Sequence, residues 1–177
     1  MKYISRSIDK TLEEWKESTT HKPLLLRGAR QVGKSSAVRH LGTKFKYFAE
    51  VNFESAKSIA TFFKGDLDVK LISSKISNYI QVPIIPGQTL LFLDEIQACP
   101  EAIMALRFFK EDYPELHVIA AGSLLEFALQ SLPTFGVGRI HSVFMYPMTF
   151  DEFLVAMDMG GLLAMRREAT ATHPLDA

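Results

Sequence analysis

The chain has 177 residues, 47% of them apolar, and 20 Lys plus Arg against 20 Asp plus Glu. That length and composition suit one full-sized domain with its own core and argue against disorder. A formal charge of zero provides no chain-wide basic field, so neither nucleic acid nor an anionic membrane is indicated as a partner.

Elements follow in chain order. Residues 1–22 lead into the core through a short amphipathic helix, "SIDKTLEEWKES", with Asp9 or Ser7 as its cap. The core is expected over 23–158. "LLLR" (24–27) reads as a short strand buried on both faces. A helix follows from about Gly33, carrying Ala37, Val38 and Leu41 at helical spacing. "FKYFAEVNFE" (45–54) is a second strand, and "AKSIATFFKG" and "LDVKLISSKISNYI" are helices. "TLLFLDEI" (89–96) is an apolar strand ending in two acids. "PEAIMALRFFKEDY" is a helix with Pro100 in its first turn. "LHVIAAGS" (116–123) is a strand and "LLEFALQSL" a helix. "RIHSVFMY" (139–146) is the fifth strand. "TFDEFLVAMDM" opens a last helix, capped by Thr149 with Glu152 at the reciprocal position. Residues 159–177 read as a tail or as the start of a further C-terminal region. "FLVAMDMGGLLAM" is too short to span a membrane and carries Asp158. Cys99 is the single cysteine, which fits a reducing, cytoplasmic setting. No apolar signal-peptide core stands at the N-terminus.

Apolar strands alternating with helices imply a parallel sheet covered on both faces, with ligands beyond the carboxyl ends of its strands. The chemically loaded stretches fall there. Gly28-Ala29-Arg30-Gln31-Val32-Gly33-Lys34-Ser35 fits G-x-x-x-x-G-K-[ST], the Walker A phosphate loop, and Ser36 continues it. The chemistry needs these types. Gly28 turns the chain out of the strand, and Gly33 lets the backbone approach a phosphate. Loop N–H groups then gather at the positive end of the next helix. Lys34 reaches the β- and γ-phosphates, and the Ser35 hydroxyl ligates Mg²⁺. Arg30 faces either nucleotide or solvent, solvent being the simpler reading. Seven Lys or Arg and no acid between His21 and Ala49 make the region locally positive.

A second motif should hold Mg²⁺ from an acidic strand end, and "LLFLDEIQ" supplies a Walker B pattern with Asp94 in that role. Glu95 beside it can orient or deprotonate a water against the γ-phosphate. That points to hydrolysis rather than transfer to a second substrate. ATP is favoured over GTP, because no guanine-reading N-K-x-D stretch follows. Ser123 either senses the γ-phosphate or caps the next helix with Glu126, and the two roles are compatible. Arg139 either stabilises phosphoryl charge, in its own chain or a neighbour's, or is a surface arginine.

"LLLRGARQVGKSS", "VNFE", "LFLDEIQACPEAIMALRFFKED", "HVIAAGSLLEF" and "GRIHSVFMYPMTFDEFL" together resemble the ATP-binding module of a large prokaryotic family of AAA+-like ATPases, AAA_14. The resemblance runs over about residues 5–155. It implies a three-layer α/β/α P-loop NTPase core with a five-stranded, mainly parallel sheet of order 5-1-4-3-2. It assigns Gly33, Lys34 and Ser35 to the phosphate loop, Asp94 and Glu95 to the acidic strand, Ser123 to the sensing strand and Arg139 to the "GR" before the last strand. It also implies a Mg-dependent ATPase hydrolase that drives a partner. That partner is a second copy of the chain or a C-terminal effector domain of the DUF4143 type, expected here to be missing. A slow nucleotide-binding switch is the alternative.

Overall fold

Strands with no polar interruption need cover on both faces, and the centre of the sheet has it. β1 (Leu24–Arg27), β3 (Thr89–Asp94) and β4 (His117–Ala121) are buried along their length, apart from Arg27 at the exit of β1. β2 (Tyr47–Asn52) and β5 (His141–Phe144) are the edges. The order is β2-β3-β4-β1-β5 with every pair parallel. Read from the other edge it is the expected 5-1-4-3-2. The structure is a computed structural model and describes residues 3–123, 125 and 138–169. The helix expected at 124–132 lies outside these residues apart from Leu125, and so does Glu126 as a capping partner for Ser123.

Alternating side chains of one strand feed two cores. Leu25, Leu91, Leu93 and Val118 pack with Ile72 of α3 (Val69–Ile80) and Leu106 of α4 (Pro100–Asp112). Leu24, Leu26, Phe92 and Ile119 pack on the other face, with Leu12 and Trp15 of α1 (Ile8–Glu17) and Val38 and Leu41 of α2 (Lys34–Gly42). Each such burial is worth about 1.5–3 kcal/mol, and together they make the three-layer sandwich. The edge strands depart from the all-apolar expectation. β5 leaves His141, Ser142 and Phe144 exposed, so this edge strand is open to solvent on both faces.

Three local expectations change. The segment after β2 is a 3₁₀ helix (Lys57–Phe63) rather than an α-helix; Ile59 and Phe63 anchor it, and Gly65, at φ +83°, follows its end. Ser7 stands at the cap of α1 without a side-chain cap bond, while Asp9 accepts from the Arg6 N–H (2.8 Å) and the Tyr3 hydroxyl (2.6 Å). The last helix has its Thr149–Glu152 capping box but stops as α5 (Phe150–Ala156). Asp158 then takes φ +58°, and α6 (Gly160–Glu168) lies back against α5, within the stretch read as a tail or as the start of a further C-terminal region. No described helix is long and apolar enough to cross a membrane.

Beneath α1 the His21 and His117 rings stack at 3.9 Å, and the Trp15 ring stands edge-on to both. His117 Nε2 donates to the Lys16 carbonyl (3.1 Å). Burial, then the neighbouring His21, pushes the His117 pKa down to about 4. The unfolded chain therefore takes this proton near pH 6.5 and the folded chain only near 4. The stabilisation is whole above pH 6.5 and is lost as pH falls towards 4. In urea titrations across that window the wild type should lose stability steadily. His117→Gln should give a visibly flatter line, and parallel lines would show that this ring does not set the slope.

Candidate functional site

β1 delivers the chain to a point with no room for a side chain. A Cβ on Gly28, at φ +142°, would sit 2.2 Å from the Met145 carbonyl oxygen. That carbonyl is fixed there because Met145 N–H donates to the Arg27 carbonyl (2.8 Å) as the exits of β1 and β5 run together. The loop then winds through Gln31 at φ +62° and Gly33 at φ +102°, and α2 begins at Lys34. The first N–H groups of a helix have no intrahelical acceptor, so this turn presents donors and the positive end of the dipole at one place.

Lys34 is buried, and its Nζ donates to the carbonyls of Gly28 (2.8 Å) and Ala29 (2.7 Å). Burial lowers its pKa, while the charges of Glu95 and Asp94 work against that shift. Ser35 Oγ donates to Asp94 Oδ2 (3.0 Å) and lies 3.2 Å from Oδ1. The pairing of β2 with β3 sets Asn52 opposite Asp94, and Asn52 Nδ2 donates to Oδ2 (3.3 Å). Burial raises the Asp94 pKa, with the Ser35 hydrogen bond pulling the other way. Above this base opens a cleft of about 580 Å³ lined by Arg30, Gln31, Gly33, Lys34, Ser35, Ser36, Glu95 and Ser123.

The structure thus brings together the phosphate loop, both acids and Ser123, all from the carboxyl ends of β1, β3 and β4. Gly28 and Ala29 serve through carbonyls that hold Lys34. Arg30 is exposed and lines the cleft as well. Arg139 does not belong to it. It precedes the amino end of β5 and pairs with Glu111 in the last turn of α4. β5 has four residues, so roughly 13 Å of strand separates that end from the loops.

Three residues that local reading missed complete the site. Arg6 donates from Nη1 to the Val32 carbonyl in the middle of the loop (2.9 Å). Asn52 braces Asp94. Gln97 donates from Nε2 to Glu95 Oε2 (2.6 Å). A second cavity of about 540 Å³ adjoins the first and shares Gln31, Gly33 and Ser36 with it. Tyr3, Ile4, His40, Thr43 and Met148 also line it, and the Tyr3 ring stacks on His40 at 4.0 Å.

A family model described as an AAA domain, AAA_14, matches residues 20–154. Among solved structures, Drosophila ORC bound to DNA superposes with a TM-score of 0.58 at 13% identity, over 89% of this chain. Cdc6p from Pyrobaculum aerophilum gives 0.53, again at 13% identity and over 89% of this chain. At that identity the likeness is one of fold. The chain spans 47% and 52% of the length of these two proteins. No curated protein matches the sequence.

Proposed function

The chain belongs to the AAA_14 family of AAA domains, and from that premise we propose that it binds Mg-ATP in this cleft and hydrolyses it with water. The observation that carries the reading is the part-buried Ser35–Asp94 hydrogen bond at the base of the cleft, with Lys34 beside it and Glu95 on the rim. A hydroxyl and a carboxylate in contact are hard oxygen donors of the kind Mg²⁺ takes together with phosphate oxygens and water, so the residues present fit the ion. Bound there, Mg²⁺ would neutralise phosphate charge.

The chain's own groups have separable tasks. The loop amides and the Lys34 ammonium hold the phosphates, Asp94 and Ser35 hold the ion, and Ser123 faces the terminal phosphate. Glu95 orients the attacking water and accepts its proton. The adjoining cavity, continuous with the phosphate end through Gln31, Gly33 and Ser36, takes the base against the Tyr3–His40 stack.

Glu95→Gln should bind Mg-ATP like the wild type while phosphate release falls about 10²–10⁴-fold, the usual share of a general base. Equal turnover by the two proteins would remove hydrolysis from this account. One observation favours the slow-switch reading: among the described residues lining the cleft, Arg30 is the one arginine. Arg30 is an exposed residue of the loop itself, and a further phosphoryl-stabilising arginine supplied by a second copy of the chain or a following domain would complete the site; these are the partners we favour. The DNA of the ORC structure is not carried over, since this chain has no net positive charge. A cytoplasmic setting accords with the lone, buried Cys99, whose pKa burial pushes up to about 11.

A further inference from the structure

We propose that Gln97 is a positioning residue that fixes the Glu95 carboxylate and ties it to the carboxyl end of β4. This rests on the reading of Glu95 as the water-orienting group. Backbone geometry sets up the contact. Glu95 takes φ +50° and starts a single 3₁₀ turn (Ile96–Ala98), closed by Ala98 N–H on the Glu95 carbonyl (3.0 Å). Asp94 and Ile96 on either side are buried, so the turn is pinned at both ends. It folds the side chain of residue 97 back onto residue 95. There Gln97 Nε2 donates to Glu95 Oε2 at 2.6 Å, short as expected for a charge-assisted bond.

The other end of the amide carries the second half of the argument. Gln97 Oε1 is buried without a hydrogen-bond partner. A Cβ added to Gly122 would lie 2.1 Å from it and 3.3 Å from Gln97 Cδ. The amide is therefore wedged between Glu95 and the backbone of Gly122, next to Ser123, which shares the cleft with Glu95. A flipped amide would set an acceptor against the carboxylate, so Glu95 dictates which way Gln97 points. Gln97 in turn occupies Oε2 and leaves Oε1 of Glu95 for water. Any displacement of Gly122–Ser123 presses on the amide and so reaches the carboxylate.

Gln97→Met keeps the length and removes the donor. It should lower kcat about ten- to a hundredfold, the worth of one hydrogen bond to a charged group. KM and the calorimetric Mg-ATP affinity should stay within about twofold, since only the water side is touched. In a Glu95→Gln background the same change should add almost nothing. Gly122→Ala should reproduce the kcat loss without altering residue 97, which covers a Gln97 variant that folds poorly. In nucleotide-free protein, the Gln97 side-chain amide should show one strongly downfield proton by NMR that returns to the bulk in Glu95→Ala. Wild-type kcat in Gln97→Met and Gly122→Ala, full additivity with Glu95→Gln, or an unshifted amide would each overturn the proposal while leaving the hydrolysis reading intact. Failure of the hydrolysis reading shows instead in Glu95→Gln alone, and the amide signal still reports on Gln97.

Discussion

Lys34→Ala should bind Mg-ATP at least about a hundredfold more weakly than the wild type, because an ammonium bound to phosphate makes charge-assisted hydrogen bonds that nothing else in the cleft would replace. Nζ already sits between the Gly28 and Ala29 carbonyls, so the side chain is extended and ordered before it meets ligand, and little rotamer entropy remains to be lost. Lys34→Arg should fail to rescue. A planar fork needs more room than a point charge held 2.7–2.8 Å from two carbonyls. Fold stability should move less than affinity. Truncation removes a buried cation, which relieves desolvation, but leaves Asp94 and Glu95 without the charge that opposed theirs. Titration calorimetry with Mg-ATP, and again with ATP and EDTA, checks the assignment of roles. Lys34→Ala weakens both titrations, whereas Ser35→Ala weakens the magnesium one selectively. If Lys34→Ala binds like the wild type, the phosphate reading of the loop is wrong.

Much of this cleft was legible because phosphate chemistry constrains contiguous residues. Gly28 to Ser36 and the pair Asp94–Glu95 are each a short contiguous stretch, and parallel pairing of both β1 and β3 with β4 puts them at the same end of the sheet. What could not be read depends on partners far along the chain or on strand direction. Asn52 matters through its register with Asp94, 42 residues on. Arg139 is a site candidate in the sequence because an arginine beside a strand looks alike at either end. Parallel pairing with β1 puts it at the wrong one. α6 was missed because it buries none of its residues, so no apolar periodicity marks it, and Gly160 and Gly161 open it against propensity. The Thr149–Glu152 capping box was correctly read, yet it gave only half of what Glu152 does.

The other half sets the second large effect. Glu152 closes the cap of α5 through Thr149 N–H (2.8 Å) and also accepts from Ser7 N–H (2.7 Å) and Ser7 Oγ (2.8 Å), 145 residues away. Arg6 lies beside it, Nε 3.3 Å from Oε2, with both side chains at most 10% exposed. The contact is electrostatic rather than an aligned hydrogen bond, since that Nε has no hydrogen-bond partner. Arg6 spends its other nitrogens on the Val32 carbonyl (2.9 Å) and the Tyr146 carbonyl (3.0 Å). One ion pair thus joins the N-terminal segment, the phosphate loop and the β5–α5 turn.

Arg6→Ala leaves the part-buried Glu152 carboxylate without its cation and the Val32 carbonyl without this donor, so it should cost about 1–3 kcal/mol in chemical denaturation. Mg-ATP affinity should also fall, by about tenfold if the Val32 tie is worth one hydrogen bond. Glu152→Ala should be comparably destabilising. The double variant should lose clearly less than the sum, because neither charge is then left alone. A separate pH signature follows. Burial pushes the Glu152 pKa up, but the hydrogen bonds from Ser7 and Thr149 and the Arg6 charge outweigh it and hold the carboxyl at about 2. The stabilisation from a depressed carboxyl is present above its ordinary value near 4.5 and drains as pH falls towards 2. That lies below the His117 window, so Glu152→Gln should flatten only the acid end of the stability curve and His117→Gln only the part above it. Additive single and double variants, with Arg6→Ala costing under about 1 kcal/mol, would mean that the pair behaves as an exposed surface bridge and that the phosphate loop is held without it.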